Sequence, residues 1–251
     1  MTLPATDTSR PPILLEDFLG KGDFARDLAA LAGPLHAELH LPERVDEVGL
    51  VCPNMLEAAT DLNKRYPEMR TFFLGEGSPT EFSEDGCPTP FTTRVGFSFY
   101  RGVILELAEP GLGSDIFGQS LDPAGRVTIN HLGFKARGDA LARKDRGARR
   151  EYATIMADAG FERRVEAVLR LYGVLGHIHI FETRPRASGL EIEFLDFRLL
   201  SKRGLKVSLP GWLFGLLGWF QVKIGRRIRR MPANHALPPP PSAPLLPPPS
   251  R

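Results

Sequence analysis

From Val45 onward, apolar residues alternate or run in short blocks broken by Gly, Pro and Asn, which is the pattern of strands joined by turns. EVGLVCP predicts a strand ended by Pro53. Asn54 is a good N-cap, and NMLEAATDLNKRYP then predicts a helix with Leu56, Ala59 and Leu62 on one face. MRTFFLG predicts a strand, GEGSPTEFSEDGCPTP a turn-rich loop, and RVGFSFYRGVILELAEP a hairpin turned near Arg101-Gly102. Leu112 to Gly125 reads as loop. The order then recurs. RVTINHLGFKA predicts a strand, ARREYATIMADAGF a helix stopped by Gly160, and ERRVEAVLRLYG, GHIHIFETR and SGLEIEFLDF three strands.

Each half is therefore β-α-β-β-β, and the repeat shows in the order of elements more than in residue identity. The expected organisation is an N-terminal extension over 1–43, partly disordered, and a domain over 44–200. That domain holds one module at about 44–112 and a second at about 127–200. An amphipathic apolar-basic segment over 201–232 and a Pro-rich disordered tail over 233–251 follow. Before the regular region, Gly33 and Pro34 read as breakers between short helices. His36 and His40 read as surface residues.

Four of the predicted strands each carry one acidic residue or histidine: Glu47 in EVGLVC, Glu106 in VILELAEP, His131 in VTINHLGFKA and Glu193 in GLEIEFLDF. Taken singly, a Glu in a strand is most simply a solvated residue. Taken together, three carboxylates and an imidazole form a complete shell for a divalent metal, with formal charge −1 when the ion is bound. Strand alternation puts Glu47 on a face with Gly49 and Val51, and Glu106 with Ile104 and Ala108. It puts His131 with Ile129 and Gly133, and Glu193 with Glu191 and Leu195.

These pieces resemble the vicinal oxygen chelate (VOC) superfamily, which includes glyoxalase I, methylmalonyl-CoA epimerase, extradiol dioxygenases, and bleomycin- and fosfomycin-resistance proteins. The resemblance rests on EVGLVCPNMLEAATDL, GVILELAEP, INHLGFKARG and GLEIEF, and covers about residues 45–198. It implies an α+β fold in which two βαβββ modules form an open, curved mixed sheet. A metal would sit in the cup, held by the first and fourth strands of each module. The implied ligands are Glu47, where the family usually has His or Gln, then Glu106, His131 and Glu193. Asn130 replaces the first member of a common His-His pair. An oxygen-rich set of this kind suits Mg, Mn, Co, Ni or Fe(II), with Zn also admissible.

The resemblance further implies a metal-dependent isomerase, epimerase or lyase that stabilises an enolate-type intermediate of a substrate with adjacent oxygens. Glu193 and Glu191 are candidate bases, and His177 and His179 in GHIHIF are candidate acids or bases, though a packed outer-face pair is the simpler expectation for them. Two alternatives stay open: a non-catalytic binding or sequestering protein, and an Fe(II) oxygenase. A single His at a ligand position argues against the extradiol class.

Composition narrows the partners. The chain has 251 residues, 42% hydrophobic and 25% charged, as expected of a globular protein that builds its own core. Two cysteines make a disulfide framework unlikely to be the staple, and a net charge of +2 gives no ground for nucleic acid. MTLPATDTSRPP lacks the features of a secretory signal, and no apolar stretch is long enough to span a bilayer. The expected place is the cytoplasm, or the membrane periphery. LPGWLFGLLGWFQVKIGRRIRR sets Trp212 and Trp219 beside Arg226 and Arg227, a pattern for membrane-surface contact or for packing on the domain or on a second subunit in a homodimer. The implied substrate is a small molecule, and a hydrophobic one suits the apolar cup.

Overall fold

The computed structural model describes residues 12–39, 41–69, 73–77, 81–111, 113, 116–135, 156–171, 174–181, 190–200, 206–208 and 229–230. Trp212, Trp219, Arg226 and Arg227 lie outside them, as do His40 and the Pro-rich tail. No helix among the described residues is long and apolar enough to cross a membrane.

The first described segment packs into the main core. Leu14 bridges to Thr128, and the Leu15 N–H donates to the Val127 carbonyl at 3.1 Å. Helices α1 (Phe24–Ala29) and α2 (Pro34–Glu38) follow. Gly33 turns the chain at φ +55°, and Pro34 starts the second helix, because the first turn needs no N–H from it. Leu15, Phe24, Leu28, Leu35 and Leu39 are buried in one cluster with Val48, Leu50, Leu105, Leu132 and Phe134 from the sheet. His36 meets the Pro42 carbonyl at 2.9 Å.

The regular region follows the expected order. Strand β1 (Glu47–Val51) leads to helix α3 (Met55–Arg65). Asn54 caps that helix by accepting from the Glu57 N–H at 3.1 Å, and Glu109 accepts from the Met55 N–H at 2.9 Å. The buried face is Met55, Ala59 and Leu62, while Leu56 is 48% exposed. Ala59 and Leu62 are buried as expected, but Met55 takes the place of Leu56, because 55, 59 and 62 follow the i, i+4, i+7 stripe of one helix face.

Next come β2 (Phe73–Gly77), β3 (Glu81–Glu84), β4 (Cys87–Pro88), β5 (Thr93–Tyr100) and β6 (Val103–Pro110). The β5–β6 turn falls at Arg101-Gly102, both with positive φ, as the hairpin twist requires. Then follow β7 (Thr128–Lys135), β8 (Arg163–Leu171), β9 (Val174–Phe181), β10 (Glu191–Leu200), β11 (Lys206–Ser208) and β12 (Arg229–Arg230). Of the predicted second helix, residues 156–161 are described; 156–158 are helical, and the chain turns out at Gly160, φ +76°.

These strands form one mixed sheet of order β12-β2-β5-β6-β1-β7-β10-β9-β8-β3-β4, with β11 added on β10. The order is symmetric about the antiparallel β1–β7 pair. On each side a parallel neighbour comes next, β6 for β1 and β10 for β7, and antiparallel pairs continue outward as far as β2 and β8, with β12 then parallel on β2.

One finding departs from the sequence expectation. The turn-rich loop after β2 contains β3 and β4, and β3 pairs with β8, at the other end of the sheet from β2. Their strands are too short and too polar to show as a period-2 pattern. The ring of Phe82, stacked on Phe91 at 4.2 Å, helps to hold the segment there. In the basic run, Arg229–Arg230 forms a two-residue edge strand on β2.

Candidate metal centre

Pairing register brings the four polar residues together. Gly49 pairs with Glu106 and Gly133 with Glu193, each across a parallel pair. Across the central pair, Glu47 faces Gly133 and Gly49 faces His131. Each side chain of the quartet therefore stands opposite a glycine and leans diagonally toward the next member. One ligand atom from each of Glu47, Glu106, His131 and Glu193 lies within 4.8 Å of all the others.

Gly49 makes the close approach possible. A Cβ there would meet His131 Cε1 at 1.9 Å, so the imidazole lies over bare backbone. Nothing in the sequence pattern signals this notch, because the partner sits 82 positions away on a different strand.

A β-bulge re-aims β7 at the same place. Gly49 pairs with His131 but Leu50 pairs with Ile129, which leaves Asn130 as the extra residue. Simple alternation, which set Ile129 on the face of His131, is corrected here. Ile129 packs with Leu50 in the main core on the other side of the sheet. Asn130 is buried. Its Oδ1 lies 2.9 Å from His131 Nδ1, and its Nδ2 donates to the Ile116 carbonyl at 3.1 Å and to Ser120 Oγ at 2.8 Å.

The centre is dry. Glu47, His131 and Glu193 are each 2% exposed or less, and Glu106 keeps a little solvent contact with 13% of its side chain exposed. Burial raises the Glu47 carboxyl well above its ordinary range, and the Glu193 and Glu106 carboxylates push it further, with His131 opposing. Burial also raises Glu193, against the pull of His131. For His131, burial disfavours the charge, but Glu193 and Glu106 overcome it and hold the imidazole pKa well above its usual value.

His131 Nε2 lies 2.8 Å from Glu193 Oε2 and 3.5 Å from Glu106 Oε2. Even so, His131 Nε2 and Glu193 Oε2 are buried without completing a hydrogen bond. Two orphaned buried atoms, three oxygen donors and one imidazole nitrogen in a glycine-lined notch fit a divalent cation, since an ion would satisfy every one of them at once.

Val51, Ala108, Ile116, Phe117, Val165 and Ile180 belong to a second buried apolar cluster, and the Phe117 ring stands 6.4 Å from that of His131. Glu191 is fully buried, pairs in register with His131 and has Arg164 Nη1 at 4.0 Å from its Oε1. Arg164 in turn donates to Glu84 at 3.1 Å, tying the β3–β4 hairpin to this side of the sheet. His177 pairs with Asp196 and His179 with Phe194.

No protein-family model matches the chain, and no curated protein matches it. Solved structures do. A variant of methylmalonyl-CoA epimerase from Streptomyces coelicolor, in complex with 2-nitronate-propionyl-CoA, is 16% identical over 61% of this chain and 95% of its own, with a TM-score of 0.36. A hypothetical protein from Bacillus halodurans is 12% identical over 61% of this chain and 92% of its own, with a TM-score of 0.37. A 4-hydroxymandelate synthase variant from Streptomyces coelicolor is 13% identical over 60% of this chain and 47% of its own, with a TM-score of 0.36. At these TM-scores the likeness adds no weight to the strand order and pairing described above.

Proposed function

We propose that this chain is a metal-dependent enzyme of the vicinal oxygen chelate type, built from two βαβββ modules at about 44–112 and 127–200. The reading is that it carries out proton transfer, as an isomerase, epimerase or lyase, on a small molecule with adjacent oxygens. The observation that carries it is the convergence of Glu47, Glu106, His131 and Glu193 within 4.8 Å, three of them buried. Polar groups of this density are costly to bury without a counter-ion. Their donor set would hold a hard divalent ion, with Mg, Mn, Co, Ni, Fe(II) and Zn as candidates.

When bound, such an ion supplies Lewis-acid stabilisation of negative charge on a substrate oxygen. The protein's own part is the rest. The apolar wall formed by Ile116, Phe117 and Ile180 excludes water and raises the strength of every charge interaction inside. Glu191, on the same strand face as Glu193, is assigned as the base, and Arg164 is assigned to orient it. Glu193 is assigned first to holding the ion, with proton transfer as its second role. His177 and His179 receive no role.

The test starts from purified protein. One divalent ion per chain, lost on Glu47→Gln or His131→Ala, is the expected result. Deuterium wash-in from D2O at the carbon next to the carbonyl, followed by NMR over a panel of α-hydroxy ketones and 2-oxo acids, then reads the chemistry. Absence of stoichiometric metal would sink the reading. Metal without exchange would move it to a sequestering protein, and Fe(II)-dependent oxygen uptake would move it to an oxygenase.

A further inference from the structure

We infer that Asn130 is a positioning residue that presents His131 to a metal through Nε2. This rests on the metal reading above. The bulge at Asn130 turns two adjacent side chains of β7 toward the same side, which a regular strand cannot do. Asn130 Oδ1 then sits 2.9 Å from His131 Nδ1. The direction of that bond is set by the other end of the amide. Both of its partners there, the Ile116 carbonyl at 3.1 Å and Ser120 Oγ at 2.8 Å, are reached from Nδ2, and a carbonyl can only accept. The amide orientation is therefore fixed, Oδ1 is the acceptor, and His131 Nδ1 carries the proton.

Nε2 is then the ring atom that faces Glu193 at 2.8 Å and Glu106 at 3.5 Å, and so the atom that a cation held by the quartet would meet. The Gly49 notch prevents the ring from being held off by a neighbouring side chain. Asn130 thus does three things: it selects the tautomer, orients the ring, and ties the ligand to the Ile116–Ser120 segment that roofs the cup.

The experiment uses cobalt(II) with the full chain, comparing wild type, Asn130→Asp and Asn130→Leu. Asn130→Asp keeps the acceptor for Nδ1–H but loses the donor to the Ile116 carbonyl, and Asn130→Leu removes both at similar volume. Affinity is read by chelator competition, and the Nδ1–H by its hyperfine-shifted proton resonance and its exchange in D2O. In wild type and Asn130→Asp alike, one shifted proton that exchanges slowly is expected. In Asn130→Leu, affinity should fall by about 10–100-fold and the proton should exchange rapidly. Equal affinity and equal exchange in Asn130→Leu would overturn the role of Asn130 while leaving the metal site standing. Wild type that takes up no cobalt overturns the metal reading, and this inference with it. Should Asn130→Leu fail to fold, the wild-type spectrum decides, because loaded protein without a slowly exchanging shifted proton overturns the inference alone.

Discussion

Gly49 and His131 face each other across the central strand pair, and the imidazole fills the space where a side chain at 49 would begin. Substituting Gly49→Ala forces a methyl to within 1.9 Å of the ring. Both residues are buried in the middle of the sheet, so the ring must shift to admit the methyl. The expected outcome is a loss of about 1–3 kcal/mol in stability by chemical denaturation. Metal affinity should fall as well, as Nε2 is pushed off its axis. Unchanged affinity in Gly49→Ala would show that the notch has slack.

The quartet stores repulsion when no cation is bound. Glu47→Gln removes one of three crowded carboxylates, so it should raise the melting temperature of the metal-free protein at pH 8 and weaken metal uptake. That opposition of stability and binding is what separates a site residue from a packing residue. For wild type, metal at 100-fold its Kd should add about 2.7 kcal/mol to stability, removable by a chelator.

Three groups of the centre stand above their ordinary pKa in the fold: Glu47, Glu193 and His131. A raised group stabilises the fold below its unfolded pKa and loses that contribution as pH rises through the folded value. The metal-free protein should therefore lose stability as pH climbs from the carboxylate range, near 4.5, and on past the histidine value of 6.5. Metal replaces the protons, so the loaded protein should lack this decline, and apparent affinity should rise with pH. Melting curves with and without metal between pH 4.5 and 9 check the sign. A metal-free protein that grows more stable over that window would contradict the coupling.

Glu191 and Glu193 lie two residues apart on one strand face but are assigned different work. Glu191→Gln should lower turnover about 100-fold or more while leaving metal stoichiometry intact. Glu193→Gln should reduce both. Metal analysis alongside the deuterium exchange assay separates the two, and loss of metal in Glu191→Gln would reassign it as a ligand.

The two cysteines should differ in reactivity. Burial, reinforced by Glu109, pushes the Cys52 thiol up to about 12, whereas Cys87 is exposed. A thiol reagent at pH 8 should therefore modify one site in the native protein and two after denaturation. Two rapid equivalents in the native state would mean that the β1–α3 junction opens.

Much of the centre is legible along the chain because strands signal themselves by local pattern. Glu47, Glu106, His131 and Glu193 each stand out as polar points in apolar runs, and the repeated order of elements places them on equivalent strands. The hairpin turn at Arg101-Gly102 and the helix stop at Gly160 are equally local, being fixed by backbone conformations that few residues adopt. What fails to show is everything that depends on a partner strand. The bulge at Asn130 exists only relative to β1, and it reverses the face expected of Ile129. The β3–β4 hairpin is held by β8 and Arg164, about 80 positions away, and its own residues read as turn.

By itself, then, the sequence determined which segments are strands, where the chain turns, and which polar side chains the strands carry, since those depend on alternation, capping and allowed φ. Tertiary structure alone decided the register. It set a glycine opposite each member of the quartet, turned Asn130 and His131 to one side, and drew Leu15, Phe24, Leu28, Leu35 and Leu39 into the main core. The physical reason is that a strand's pattern fixes which residues share a face, whereas pairing between distant strands fixes which of those faces, and which atoms on them, meet.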